Sequence, residues 1–248
     1  MHDRHLPSLG PRFWAALCLA SIFGANTGDT FAHILGFGHA GGLPYLGAAL
    51  FFIIVAERFD RSAHETWYWA AIIVVRTAAT NLGDLLCGDL HISRPIVMTG
   101  LALALAVTVT LVWVMWKLTA PLKENPKQLI LRADLPYWLS MLLAGALGTV
   151  LGDYFSHNLY LGDARASIVL SAILFCFFVV GARGGLWQPA LYWITVVQVR
   201  AAGTAVGDLF AQRGVLGLGM STVVTGLVFA TFLLLTPKRD VETTPPGD

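Results

Sequence analysis

Four aspartates that each follow a glycine recur along an otherwise apolar chain: Asp29, Asp84, Asp153 and Asp208. A carboxylate in hydrocarbon costs at least about 2.5–3.5 kcal/mol on insertion scales and is normally retained for function. The glycines before them are explained by packing alone, because small residues four apart let helix backbones approach closely. We assign this packing role to Gly28, Gly83, Gly152 and Gly207. The aspartates are predicted to form a polar site inside the membrane.

The spacing of these aspartates indicates an internal repeat. Asp29 and Asp84 are 55 residues apart, as are Asp153 and Asp208, and a shift of 124 residues matches the first pair to the second. The same shift matches further pairs of residues: Trp14 with Trp138, His33 with His157, Trp69 with Trp193 and Arg76 with Arg200. A unit of two helices used four times predicts parallel-oriented helix hairpins in two pseudo-symmetric halves.

Two of the aspartates are followed four residues later by a histidine, Asp29 by His33 and Asp153 by His157. Side chains at i and i+4 lie on one helix face, one turn apart. Two such pairs facing each other would supply two carboxylates and two imidazoles, a ligand set that suits Mn²⁺ or Zn²⁺. A structural role for the histidines carries equal weight. We predict these four residues as ligands of a divalent metal ion.

The other two aspartates follow an arginine by eight residues, Asp84 after Arg76 and Asp208 after Arg200. Eight residues rise about 12 Å along a helix, so the two members of a pair cannot touch. An arginine at that depth needs a partner, most simply a carboxylate of a neighbouring unit, and a purely structural ion pair is an equally good interpretation. Four aspartates and two arginines leave a net charge of −2, which one divalent cation or two protons would neutralise. We predict Asp84 and Asp208 as a proton relay or gate, and Arg76 and Arg200 as charge compensation.

The helices that carry these residues are predicted from long apolar segments. Of the 248 residues, 56% are hydrophobic and 12% are charged, and the mean hydropathy is +0.68. Each segment approaches the roughly 20 residues that a spanning helix needs. The composition therefore predicts an all-α polytopic membrane protein, and a net charge of +1 argues against nucleic acid as a partner. The eight predicted transmembrane helices are 13–36, 42–58, 66–88, 94–116, 135–159, 164–182, 187–212 and 215–236.

A polar segment at 117–134 divides the chain into a first half, 12–116, and a second half, 135–236. The ends, 1–11 and 237–248, are predicted to be disordered. Eleven Lys and Arg residues lie in the termini and in every second loop, whereas three lie in the remaining loops. The positive-inside rule therefore predicts that both termini and the 117–134 linker are cytoplasmic.

The repeated motifs resemble those of a known family. A small residue stands four before each Gly-Asp pair, and Tyr-Trp precedes the arginine in alternate units, at Tyr68-Trp69 and Tyr192-Trp193. This pattern, over about residues 12–236, resembles bacterial inner-membrane proteins called uncharacterised membrane-anchored proteins, which are built from a membrane repeat of unknown function. The resemblance implies a repeated helical architecture in a bacterial inner membrane. It implies no activity, so function has to be argued from the site.

These residues favour a secondary transporter for a divalent metal cation of the Mn or Zn class, either alone or coupled to protons. Its expected partners are the lipid bilayer and a small cation or small-molecule substrate. An intramembrane metal-dependent enzyme would use the same ligands with one coordination position open, but no nucleophile or lid is evident. A proton-driven carrier of a small organic solute is a further alternative. The repeated carboxylates argue against a purely structural role.

Overall fold

The computed structural model describes residues 5–60, 62, 64–119, 133–181 and 189–236, without the side chains of 116–119 and 189. Within these residues the chain forms eight α-helices and no strand: α1 (Pro11–Asp29), α2 (Gly38–Phe59), α3 (Thr66–Asp84), α4 (Arg94–Thr119), α5 (Leu135–Asp153), α6 (Gly162–Val180), α7 (Pro189–Ala211) and α8 (Leu218–Leu235). Six of them are long and apolar enough to cross a membrane. The prediction of an all-α, multi-pass membrane protein is confirmed. Most of the predicted 117–134 linker and the 237–248 tail lie outside the described residues.

Four helices form an inner ring, and the other four cover it. α1 packs on α3 and α7, and α5 packs on the same two helices, which completes the ring. The main neighbour of each outer helix is one inner helix: α3 for α2, α5 for α4, α7 for α6 and α1 for α8. α3 and α5 bury 50% and 61% of their most apolar windows, whereas the outer helices bury 11% to 22%. Large side chains such as Phe51, Ile96 and Phe175 therefore remain exposed on the outer helices, as lipid-facing residues do.

The two helices that are less apolar than a typical span, α1 and α7, belong to the inner ring. Their polar residues include Ser21 and Asn26 on α1 and Gln198 and Arg200 on α7, all of them buried. A helix that contacts protein rather than lipid can carry such residues, since neighbouring helices supply their hydrogen-bond partners. Low hydropathy therefore marks an inner position here. The prediction of eight spans, hairpins and two pseudo-symmetric halves stays a prediction.

Three of the inner helices end in the same way. Each continues into a five-residue π turn, closed by a backbone bond of 2.9–3.0 Å to the residue five positions earlier: Leu35 to Thr30, Leu90 to Leu85 and Leu159 to Tyr154. The next residue has a left-handed backbone conformation in all three turns, with φ of 73° at Gly36, 56° at His91 and 54° at Tyr160. A left-handed histidine or tyrosine is uncommon. The turn is therefore imposed by the surrounding fold, and it recurs at the spacings of the sequence repeat.

Glycines bring neighbouring inner helices into close contact at every interface of the ring. A Cβ atom added to Gly28 of α1 would lie 2.5 Å from Thr80 Cβ of α3. The corresponding distances at the other interfaces are 2.7 Å from Gly145 to Ala79 Cβ, 2.5 Å from Gly148 to Arg200 Cβ and 2.6 Å from Gly203 to Ser21 Cβ. The remaining glycines before aspartates, Gly83, Gly152 and Gly207, meet neighbouring helices at 3.0–3.2 Å. A side chain at the first four positions would push the helices apart, whereas at the last three the neighbouring atoms would have to shift by a few tenths of an ångström.

The segment before α1 is attached to the α2–α3 connection. His5 is fully buried, with Nδ1 2.5 Å from Glu57 Oε1 and Nε2 2.6 Å from the carbonyl oxygen of Ser62. Arg12 donates to Glu65 at 2.6 Å. These contacts hold His5 and Arg12 against the fold, while the predicted disorder of 1–11 stays a prediction. Composition does not predict them because the partners are more than 50 positions away.

Gly148→Ala should destabilise the protein by about 1–3 kcal/mol, because the added methyl group would overlap Arg200 and the carbonyl oxygen of Val197. The matched control is Gly47→Ala, whose Cβ meets no atom within 4 Å. Alanine favours a helix over glycine by up to about 1 kcal/mol, so this control should be neutral or stabilising. Thermal unfolding of both variants in detergent measures the difference, and equal melting temperatures would contradict the close packing.

Candidate functional site in the inner ring

Two arginines lie at the centre of the inner ring. Arg76 of α3 and Arg200 of α7 both have 0% of their surface exposed. Their helices are diagonal to each other, since each packs on α1 and α5. A buried ionised side chain costs several kcal/mol unless its donors are satisfied. The partners of the two guanidinium groups therefore decide what this site can do.

Arg200 contacts all three other inner helices. Its Nη1 donates to the carbonyl oxygen of Ser21 on α1 at 2.8 Å, and its Nε donates to Thr149 Oγ1 on α5 at 3.0 Å. Its Nη2 donates to Thr80 Oγ1 on α3. Thr149 donates its own hydroxyl proton to the carbonyl oxygen of Gly145, and Thr80 donates to that of Arg76 or Gly24. Each hydroxyl oxygen therefore keeps a lone pair for Arg200. Arg200 is thus bound by neutral oxygens, where the sequence suggested a carboxylate partner.

Arg76 has no comparable partners. Within the described residues, no hydrogen-bond acceptor is in reach of its Nε, Nη1 or Nη2. A Cβ on Gly145 would lie 3.8 Å from its Nη1, so the guanidinium group reaches towards α5. The repeat accounts for one part of the difference, because the position of Thr149 corresponds by the 124-residue shift to Ala25, which has no hydroxyl group. Two arginines that are equivalent in sequence are therefore unequal in the fold.

The two guanidinium groups lie at different levels of the ring. Two acceptors of Arg200, Thr80 and Thr149, stand one helical turn before the aspartates of their helices. Arg76 instead lies in electrostatic range of three buried tyrosines on α3, α5 and α7, in line with the tilt of helical side chains towards the helix N-terminus. The two cations still lie in electrostatic range of each other.

An aromatic cluster occupies the end at which the inner helices begin. Each helix contributes a buried ring followed by tryptophan: Phe13-Trp14, Tyr68-Trp69, Tyr137-Trp138 and Tyr192-Trp193. The Tyr137 hydroxyl lies 2.5 Å from that of Tyr68 and 3.3 Å from that of Tyr192. The Phe13 ring packs on Tyr192 at a centroid distance of 6.4 Å. The sequence motif that precedes the arginines includes two of these pairs, and the 55- and 124-residue spacings relate all four.

The four aspartates lie at the opposite end of the ring. Three of them are the last α-helical residues before the π turns, and the fourth has the corresponding position in α7: Asp29, Asp84, Asp153 and Asp208. All four are half-buried. None of their carboxylates forms a hydrogen bond or ion pair with another part of the described chain, yet Asp208 lies in electrostatic range of the other three. Unpaired carboxylates that share one end of a helix ring attract protons or a metal cation.

The two predicted histidine ligands, His33 and His157, are exposed. His157 lies in electrostatic range of Asp153. The histidine in electrostatic range of Asp29 is His39 and not the predicted His33. The rings of His33 and His39 pack edge to face at 5.3 Å. In the portion of the chain that the structure describes, no three His, Cys, Asp or Glu side chains are grouped as a metal site. The predicted metal ligands stay a prediction.

A cavity of about 620 Å³ lies between α3 and α8, near the aromatic end. Its lining is largely apolar and includes Phe229, while one end carries the ion pair of Arg12 with Glu65. Trp69 lines the cavity and also packs against Tyr68, at a centroid distance of 5.2 Å. The cavity therefore borders the aromatic cluster from outside the ring.

Comparison with known families matches two segments, 136–183 and 191–236, to the family described as Repeat of Unknown Function (DUF347). The first segment covers α5 and α6, and the second covers most of α7 and all of α8. Each match therefore contains one inner and one outer helix, and the two begin 55 residues apart. The similarity supports the expected membrane repeat of unknown function. No curated protein and no solved structure matches the chain.

Thr149→Val should destabilise the protein by about 1–2 kcal/mol, because it keeps the side-chain shape but removes an acceptor from the buried Arg200. Thr195→Val is the control, since the buried Thr195 hydroxyl donates only to Leu191 of its own helix, at 2.7 Å. The loss there should be smaller. Unfolding in detergent measures both, and an equal loss would mean that the Arg200 bond adds nothing to stability.

Proposed function

We propose that the protein is a secondary transporter whose substrate path follows the inner ring. One observation carries the proposal: helices in a membrane protein hold four unpaired carboxylates at one end and two fully buried arginines that precede the aspartates of their own helices by eight residues. Ionisable groups inside membrane helices are expensive, and they mark ion and substrate pathways. The outer helices supply the lipid-facing surface, which leaves the inner helices able to carry these groups.

The carboxylates are the groups that bind the transported or driving cation in this proposal. A carboxylate without a partner gains or loses a proton without breaking a contact in the fold, which suits proton coupling. Asp84 and Asp208 act as a relay or gate. Arg76 and Arg200 supply positive charge when the acidic end is empty of cations.

A divalent cation of the Mn or Zn class is a second candidate for the substrate. It is favoured by the position of the four carboxylates at one end of the ring and by the net charge of −2 over the four aspartates and the two buried arginines. Oxygen ligands suit Mn²⁺, and His33 and His157 would add the imidazoles that Zn²⁺ takes readily.

The charge distribution of the sequence supports an orientation for this carrier. The excess of Lys and Arg in the termini and alternate loops favours a cytoplasmic position for the aromatic end. The aspartates would then face the outer side of the membrane. The family resemblance supports a bacterial inner membrane.

Single replacements of the four aspartates by asparagine should abolish coupled flux or slow it about tenfold or more, because an amide cannot exchange a proton. The measurement uses the full chain in proteoliposomes that contain a pH-sensitive dye, with Mn²⁺ or Zn²⁺ added outside, with and without a pH gradient. Asp89→Asn is the control, since Asp89 lies at the same end of the bundle, is 46% exposed and pairs with His39. Wild-type flux in all four asparagine variants would contradict the proposal.

Purified wild-type protein should retain Mn²⁺ or Zn²⁺ if the predicted ligands bind metal, and the double variant His33→Ala/His157→Ala should retain several-fold less. His64→Ala serves as the control, because His64 pairs with Asp60 at 3.0 Å in the α2–α3 connection. Elemental analysis of the proteins after dialysis gives the metal content. Equal content in wild type and the double variant would exclude the histidines as ligands and leave proton coupling through the carboxylates intact.

A further inference from the structure

We propose that Arg76 and the tyrosines of the aromatic cluster form a binding site for a small monovalent anion, a halide ion or the carboxylate group of a small acid. The inference goes beyond transport of a cation, and binding to this site does not require that the protein be a transporter. It rests on the geometry around one buried cation.

The first observation is the unpaired guanidinium group itself. Arg76 is fully buried, and its three nitrogens find no acceptor in the described structure. Leaving a buried charge without a partner costs several kcal/mol, whereas an anion at hydrogen-bonding distance would satisfy several donors at once. Arg200 shows that this fold can satisfy a guanidinium group with neutral oxygens where it supplies them. At Arg76 it supplies none.

The alternative position for Arg76, among the oxygens used by Arg200, is closed to it. The sequence repeat assigns Ala25 to the place of the acceptor Thr149, so one of the three acceptors is missing. The second arginine already occupies the ring at that level, and its like charge acts on Arg76. Thr204, the counterpart of Thr80, accordingly has a buried hydroxyl without a partner.

The tyrosines supply further donors beside Arg76. The hydroxyl groups of Tyr68, Tyr137 and Tyr192 carry three protons but form two hydrogen bonds among themselves, so one proton is left to donate. All three hydroxyls lie in electrostatic range of the guanidinium group. A buried cation and a spare hydroxyl donor within electrostatic range of each other are complementary to an anion and not to a metal ion.

Packing and charge set the size and valence of the ligand. One buried guanidinium group balances one negative charge. The walls are close, since a Cβ on Gly145 would already lie 2.7 Å from Ala79 Cβ and 3.8 Å from Arg76 Nη1. The aspartates that would repel an anion are about 12 Å away, eight residues along the helix. A small monovalent anion fits these limits.

Titration of the purified full chain in detergent tests the site. Protein in sodium sulfate, whose divalent anion does not match the single charge of the site, is titrated with sodium chloride or sodium acetate at constant ionic strength. Tryptophan fluorescence is followed, because Trp69, Trp138 and Trp193 pack on the tyrosines. We expect a saturable change with at least one anion, and its identity separates a halide site from a carboxylate site. Arg76→Met should weaken binding about tenfold or more, and Arg76→Lys should restore part of it.

Arg165→Met is the control, because Arg165 is an exposed residue of α6 and its replacement should leave the titration unchanged. The triple variant Tyr68→Phe/Tyr137→Phe/Tyr192→Phe keeps the rings that pack on the tryptophans but removes every hydroxyl donor, and it should weaken binding several-fold even if Arg76→Met does not fold. The proposal is overturned if neither anion gives a saturable change in the folded wild type. Unchanged affinity in Arg76→Met, or in the triple variant where Arg76→Met is unstable, overturns it as well. Loss of anion binding with intact cation flux would leave the proposed transport function standing.

Discussion

The structure depends on the need to satisfy one positive charge in the middle of a membrane protein. The Arg200 guanidinium group requires oxygens from three sides, and the three other inner helices supply them. Those oxygens are in reach only because glycines at every interface keep the helices close together. Close packing of polar helices in turn requires that they be shielded from lipid, which the four outer helices do. The arrangement of the helix ring thus follows from the chemistry of its centre.

The two arginines of the sequence repeat have unlike surroundings in the fold. The two halves of the sequence carry an arginine at the same repeat position, but only one half offers a threonine hydroxyl in the place where the other has Ala25. The missing hydroxyl is one difference between an arginine bound by three neighbouring helices and one whose charge is unpaired. Equivalent positions in a repeat protein can take different roles when their surroundings differ by one polar atom.

Much of the fold follows from the sequence, since helix positions depend on local hydropathy. The predicted segment 66–88 corresponds to α3 with its π turn, and 135–159 to α5 with its own. The order of the helices around the ring does not follow from the sequence, because the apolar composition of a helix does not specify which helices it contacts. The partners of Arg200 were not predicted either, because a search for opposite charges overlooks hydroxyl and carbonyl oxygens. The 55-residue spacing is enough to predict the aromatic cluster. Matching identical residues misses it, because Phe13 differs in type from the three tyrosines.

The bonds of Arg200 also limit how such a protein can move. Rocking of one half against the other would pull α7 away from α1 and α3, and every such displacement breaks charge-assisted hydrogen bonds in a water-poor interior. A carrier with this core would therefore keep its centre nearly rigid and change shape at its two ends. The π turns beyond the aspartates and the ring of tyrosines are the elements that could rearrange without breaking those bonds. Alternating access would then come from opening and closing at the two ends of the ring while its centre stays fixed.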